Sequence, residues 1–359
     1  MSRRAVLRAM VAAAPLVAGG VALGRSRFRR TSQLGPSGAS AHQGGPAQSL
    51  PAATPRRAFL ASQPLKTVRA DVLDIAYLDV GPAEGPPVIL LHGFPYDVHA
   101  YDEAAEQLSA VGKRCIIPYL RGYGGTRFHS ADTFRSGQQA ALGSDLLALM
   151  DALALPQTLL GGYDWGGRAA CVVAALHPER VKGLVSCGTP YNVQDDAKAT
   201  TPVAPEQEHR YWYWYYLNSE RGQHALEQAR HHLIRYLWQN FSPPWHFDDA
   251  TFERSALAFD NPDFVAVVLH SYRFRIGEVP GDPTLEALER RITAQPPITV
   301  PTIALMGQDD GPDPPKPQAS FEPHFTQLRR VQTLPGVGHN LPQEAPDAFV
   351  RAVLEVGSA

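Results

Sequence analysis

Short apolar runs alternate along most of this chain with stretches patterned at helical spacing, and that alternation restricts the fold more than any other feature. Residues 72–80, Val88-Ile89-Leu90-Leu91, Cys115-Ile116-Ile117, residues 158–162, 183–187 and 302–306 read as strands. Between them, residues 100–111, and Leu142, Leu146, Leu149, Met150 and Leu153 at helical spacing, read as amphipathic helices. Strands separated by helices in this way build an α/β fold, a mostly parallel sheet covered on both faces. The rhythm stops near Pro190 and resumes near Val300. The interval holds Tyr211-Trp212-Tyr213-Trp214-Tyr215-Tyr216, a His-rich helical stretch around residues 223–238, and one apolar run, 264–269, that its surroundings make helical. A helical cap over residues 190–298 is therefore expected, dividing a core of residues 59–189 and 299–359.

Composition narrows the class. With 359 residues, 44% hydrophobic and 19% charged, the chain is neither disordered, collagen-like nor a multi-span membrane protein. Charge is unevenly spread: the first 70 residues carry eleven Lys or Arg and no acid, leaving 22 basic against 35 acidic residues in the rest. An acidic body argues against a nucleic-acid partner. Ser2-Arg3-Arg4-Ala5-Val6-Leu7-Arg8 followed by an uncharged stretch to Gly24 has the order of an export signal, and its paired arginines resemble the twin-arginine signal. At sixteen residues, broken by Pro15, Gly19 and Gly20, the stretch is short for a membrane span, which needs roughly 20. The expectation is a signal over residues 1–30, a flexible linker over 31–58, and a periplasmic or extracellular protein without stable membrane insertion. A misassigned start would leave it cytoplasmic.

The chemistry concentrates in one motif. Gly162-Tyr163-Asp164-Trp165-Gly166-Gly167 follows a strand and precedes the helical Arg168-Ala169-Ala170-Cys171. Glycines flanking a residue at a sharp strand-to-helix turn form a nucleophile elbow, here with Asp164 at its tip. His92-Gly93-Phe94-Pro95 follows an earlier buried strand, where the Phe94 N–H, together with that of Trp165, would form an oxyanion hole. Downstream, Gly307-Gln308-Asp309-Asp310 ends a strand and offers two candidate acids, and Gly336-Val337-Gly338-His339-Asn340 carries a histidine. Nucleophile, acid and histidine thus stand in chain order. A carboxylate attacking an ester would give an anhydride, whereas attacking an alkyl carbon gives an ordinary ester, so Asp164 points to displacement at carbon. His339 would then activate water.

In these motifs, and in Arg121-Gly122-Tyr123-Gly124-Gly125-Thr126, the chain resembles the aspartate-nucleophile branch of the α/β-hydrolase superfamily, which contains epoxide hydrolases and haloalkane and haloacid dehalogenases. It departs from that branch at Tyr119 and Leu120, where relatives often place an Asp nearby. The likeness covers about residues 70–355. It implies that Asp310, three residues after Gly307, is the acid orienting His339, and that two cap tyrosines protonate an epoxide oxygen. One matches Tyr272; the other is Tyr213, with Tyr215 and Tyr216 as alternatives. His92, Trp165 and Trp212 are the expected substrate contacts, in an apolar pocket for a small epoxide or halogenated compound. Trp165 keeps halide binding open, yet Phe94 stands where many haloalkane-cleaving relatives have Asn. The haloacid-cleaving pattern, Arg directly after the nucleophile and again three residues later, is met only by Arg168. A ligand-binding protein that kept the fold without turnover is the third reading.

Other motifs carry no chemistry. No cofactor is expected: Gly122, Gly124 and Gly125 lack the Lys-Ser/Thr of a phosphate-binding loop. No metal is expected either, because His209, His224, His231, His232, His246 and His270 form no ligand spacing, and Cys115, Cys171 and Cys187 are too scattered for zinc or a disulfide framework.

Overall fold

A computed structural model describes residues 58–358. The expected signal, and all of the expected linker except Ala58, lie outside them. The sheet has nine strands: β1 (Lys66–Ala70), β2 (Leu73–Val80), β3 (Pro87–Leu91), β4 (Arg114–Pro118), β5 (Arg127–Phe128), β6 (Thr158–Tyr163), β7 (Val181–Cys187), β8 (Thr302–Gly307) and β9 (Leu328–Leu334). Their spatial order is β1-β2-β4-β3-β6-β7-β8-β9, with β5 paired to β2. β2 runs antiparallel to β1, β4 and β5; every other pairing is parallel. The interior strands β6 and β8 are buried at every position, the pattern of strands covered on both faces.

The outermost strands differ from this. β1 is mostly exposed and β9 half-buried, with Lys66, Arg69, Arg329 and Arg330 along them. Charge on an edge strand discourages pairing with another chain.

Helices α1 (Asp102–Ala110), α2 (Gln139–Ala152), α3 (Asp164–Leu176), α10 (Leu341–Glu344) and α11 (Pro346–Val356) flank the sheet, with α2 packed on α3 and α1 on α11. Between β7 and β8 the chain forms α4 (Pro205–Arg210), α5 (Trp212–Asn218), α6 (Glu220–Phe241), α7 (Asp249–Ala256), α8 (Phe264–Arg275) and α9 (Glu286–Thr293). The Ser219 side chain accepts the Gly222 N–H to start α6, and the backbone of Ala229 leaves helical geometry and kinks it. Trp238 on α6 donates its indole N–H to the Pro95 carbonyl at 2.7 Å, fastening the inserted helices to the loop after β3.

Strand order places the site. β3 lies between β4 and β6, and Leu91 at its end is paired with Gly162 at the end of β6. The loops leaving these two parallel strands therefore open side by side at the carboxyl edge of the sheet, where α/β folds bind ligands.

Candidate active site

Asp164 opens α3 at φ +47°, a backbone conformation that side-chain-bearing residues rarely adopt. The turn is possible because its flanks are glycine. A Cβ on Gly166 would lie 2.1 Å from the Leu91 carbonyl oxygen, and one on Gly162 would lie 2.7 Å from the Gly166 backbone. Phe94 N–H donates to the carboxylate Oδ1 at 2.6 Å, and the Asn192 amide holds the backbone of the turn by donating to the Asp164 main-chain carbonyl at 2.6 Å.

Across from Oδ2 stands His339 Nε2, 3.8 Å away, at ion-pair distance. The other ring nitrogen, Nδ1, lies 2.9 and 3.1 Å from the two Asp310 oxygens. Of the two candidate acids, Asp310 is thus the one that faces the imidazole; Asp309 accepts the Gly336 N–H instead. The Asp313 N–H steadies Asp310 at 2.8 Å.

Charge ties these groups together. Burial alone would lift the Asp164 carboxyl, but the neighbouring His339, then Arg168 and the Phe94 N–H, outweigh it and hold the group below its ordinary value. Burial opposes protonation of His339 too, yet the charges of Asp310 and Asp164 raise its pKa well above that of a free imidazole.

Three residues hold the His339 turn or the elbow without having stood out in the sequence. Ser242, just after α6, accepts the His339 N–H at 2.9 Å and donates to Glu344 at 2.6 Å. Glu344 also accepts the N–H groups of Gly338 and Asn340. Neither Ser242, Glu344 nor Asn192 sits in a motif, and Ser242 reaches His339 across 97 residues, so only folding reveals them.

A cavity of about 180 Å³ borders Asp164. Tyr213 and Trp214 of α5 and Arg275 of α8 line it together with Arg168. Tyr213 and Tyr272 are both buried, their rings 5.5 Å apart edge to face, and burial pushes both phenols above their ordinary pKa. Tyr215, by contrast, is 46% exposed and gives its hydroxyl to Glu208, while Tyr216 packs against Trp212 away from the cavity wall.

The three expected substrate contacts all lie off this cavity's wall. His92 is fully buried: Nε2 accepts the Leu120 N–H at 3.1 Å and Nδ1 meets the Gly93 carbonyl at 3.1 Å, which leaves no ring nitrogen for a ligand. Burial lowers its pKa to about 4, so the ring is neutral and braces two loops. Trp212 rests among Tyr213, Tyr216 and Tyr236, and it is Trp214 that reaches the cavity. Trp165 stacks on Phe94 with ring centroids 5.5 Å apart; its buried indole N–H has no partner and is not on the cavity wall. The cavity is also more polar than expected, because charged side chains and amides, not only aromatics, form it. Among the described residues no cluster of His, Cys, Asp or Glu could hold a metal, and all three cysteines are buried free thiols.

The sheet order, the elbow and the Asp164, His339 and Asp310 geometry define an α/β-hydrolase. Residues 86–346 match the alpha/beta hydrolase fold family, and the chain belongs to it. Over 84% of its length it is similar to the crystal structure of a candidate epoxide hydrolase from Klebsiella pneumoniae, with 44% identity, a TM-score of 0.80 and 99% of that chain covered. It is also similar to epoxide hydrolase 3 of Siraitia grosvenorii, 37% identical over 102 residues (28% of this chain, 32% of that one). Epoxide hydrolase B of Mycobacterium tuberculosis is 31% identical over 109 residues, 30% of each chain. The matched stretch thus spans about a third of the length of these curated relatives.

Proposed function

We propose that this protein hydrolyses epoxides to vicinal diols through an ester on Asp164. The observation that carries this reading is a carboxylate, not a hydroxyl, at the elbow tip, 3.8 Å from a histidine and on the wall of a cavity that Tyr213 shares. The relatives named as epoxide hydrolases support it.

In the first step Oδ2 of Asp164, the oxygen not held by Phe94, attacks an oxirane carbon. The ring C–O bond breaks and the alkoxide takes the proton of Tyr213 or Tyr272. An alkoxide is far more basic than a phenolate, so even phenols with a raised pKa donate to it, and they stay protonated until it forms. Esterification removes the negative charge on Asp164, one of the causes that keep His339 protonated. The imidazole pKa falls, the imidazolium passes its Nε2 proton through water to the tyrosinate, and Nε2 becomes a base at the moment a base is needed.

Nε2 then takes a proton from water, whose oxygen adds to the ester carbon. The N–H groups of Phe94 and Trp165 stabilise the oxyanion while Asp310 holds the imidazolium. Collapse expels the diol oxygen, which takes the proton from His339, and the proton left on Asp164 passes to Nε2 of His339, restoring the resting ion pair. Epoxide and water are consumed and diol is released.

The test offers epoxides, haloalkanes and 2-haloacids to the wild-type chain and to His339→Gln. Diol from the wild type, with substrate mass trapped on an Asp164 peptide in the variant, is the expected result. Halide without diol would reassign the chain to dehalogenation; neither turnover nor adduct would make it a ligand-binding protein.

A further inference from the structure

We propose that the substrate carries a carboxylate beside its oxirane, and that Arg168 with Arg275 forms the subsite for it. The inference rests on the epoxide-opening reading and names the substrate class of that same cavity. Arg168 lies one helical turn after Asp164, so the two side chains share a face of α3. It is only 4% exposed, and its Nε, buried, has no hydrogen-bond partner. Its one hydrogen bond to a side chain is a long one, 3.4 Å from Nη1 to Gln194 Oε1. A buried guanidinium left so incompletely bonded costs free energy unless a ligand completes it.

The second guanidinium sharpens the point. Arg275 lines the same cavity with its Cζ 4.0 Å over the Trp214 ring, placed by an aromatic face and not by a carboxylate. Lys316 adds a third cation to the lining. Burial, then Arg275, lowers the Arg168 pKa to about 10, which leaves the group charged at neutral pH.

The acids that face this cluster do not saturate it. Asp313 accepts the Tyr211 hydroxyl at 2.8 Å, Asp196 is shared with Glu289, and Asp164 loses its charge on forming the ester. An anionic group on the substrate would restore the balance at that step. One helical turn rises about 5.4 Å, so the carboxylate sits a few bonds from the reacting carbon. A cavity of about 180 Å³ likewise suits a small molecule. The class is a short-chain oxirane carboxylate, and the product a dihydroxy acid.

The experiment compares oxirane-2-carboxylate with its uncharged amide and alcohol analogues on the full chain. Wild-type kcat/KM should favour the carboxylate by roughly 10- to 100-fold, the range of charge-assisted hydrogen bonds. That preference should fall to within about 3-fold in Arg168→Met and weaken in Arg275→Met. Small unreactive carboxylates should compete with the wild-type reaction, a readout that needs no variant. Equal or better opening of the uncharged epoxides, without inhibition by carboxylates, would overturn the subsite while epoxide opening stood. No diol from any of the three would overturn both.

Discussion

His339 is the charge that acts most strongly on Asp164, and Asp164 is one of the two anions, after Asp310, that act on His339. The imidazole holds the carboxyl down, and the carboxylate, with Asp310, holds the imidazole up. Removing one charge must therefore move the other group in a known direction. In Asp164→Asn the imidazolium loses one of the two anions that favour it, and the His339 pKa should drop while staying supported by Asp310. Imidazole resonances followed by NMR against pH, with His339→Gln identifying the signal, measure this. An unchanged or higher value in the Asn variant would refute the proposed coupling between ester formation and the base. The phenols belong to the same scale: Tyr213 on the cavity wall and Tyr272, which packs against it without lining the cavity, are kept neutral by burial, so no deprotonated phenol competes with Asp164 for the electrophile.

At the level of elements, the elbow works because β6 and α3 meet with almost no space between them. Gly166→Ala would force a Cβ to within 2.1 Å of the Leu91 carbonyl, which backbone alone can relieve. The expected loss is roughly 2–4 kcal/mol of stability, read from urea unfolding, with activity lost further because Phe94 N–H and Asp164 would part. The elbow and the central strands were legible beforehand because both have strong local signatures: all-apolar runs for β3, β4 and β8, and glycines in fixed register around Asp164. β1 and β9 were not so clear, since edge strands alternate apolar with charged residues and resemble loops. The aromatic run 211–216 was ambiguous for another reason. A helix sends consecutive side chains in every direction, so which ring reaches the cavity depends on packing, and the structure turns Tyr213 and Trp214 inward while Trp212 stays with Tyr236. His92 looked chemical because it precedes the oxyanion loop, but its partners are backbone groups of two loops that no sequence spacing reveals.

Across the whole molecule, the inserted helices and the sheet are joined by buried polar contacts as well as by aromatic packing. Glu289 on α9 accepts the Ala140 N–H at 3.1 Å and the amides of Gln138 and Gln139, at the start of α2, with Asp196 beside it. Burial first, then Asp196, raises the Glu289 pKa to about 7. The folded state thus binds this proton more tightly than the unfolded chain does. The associated stability is complete below the unfolded value near 4.5 and is lost as pH rises through about 7. Glu289→Gln cannot ionise, so its stability relative to wild type should rise by ~2 kcal/mol between pH 5 and pH 8. A denaturation series showing a constant difference would contradict this.

The support under His339 has a practical consequence of its own. Ser242 belongs to the inserted segment and Glu344 to the final part of the chain, yet together they set the pitch of the turn that presents the imidazole. Grafting a foreign lid onto this scaffold would exchange one half of that bracket and keep the other. A chimera could then bind its ligand well and still stall after the first bond forms, with the base tilted off the water. Recombining members of this family should transplant both halves of the bracket as a single unit.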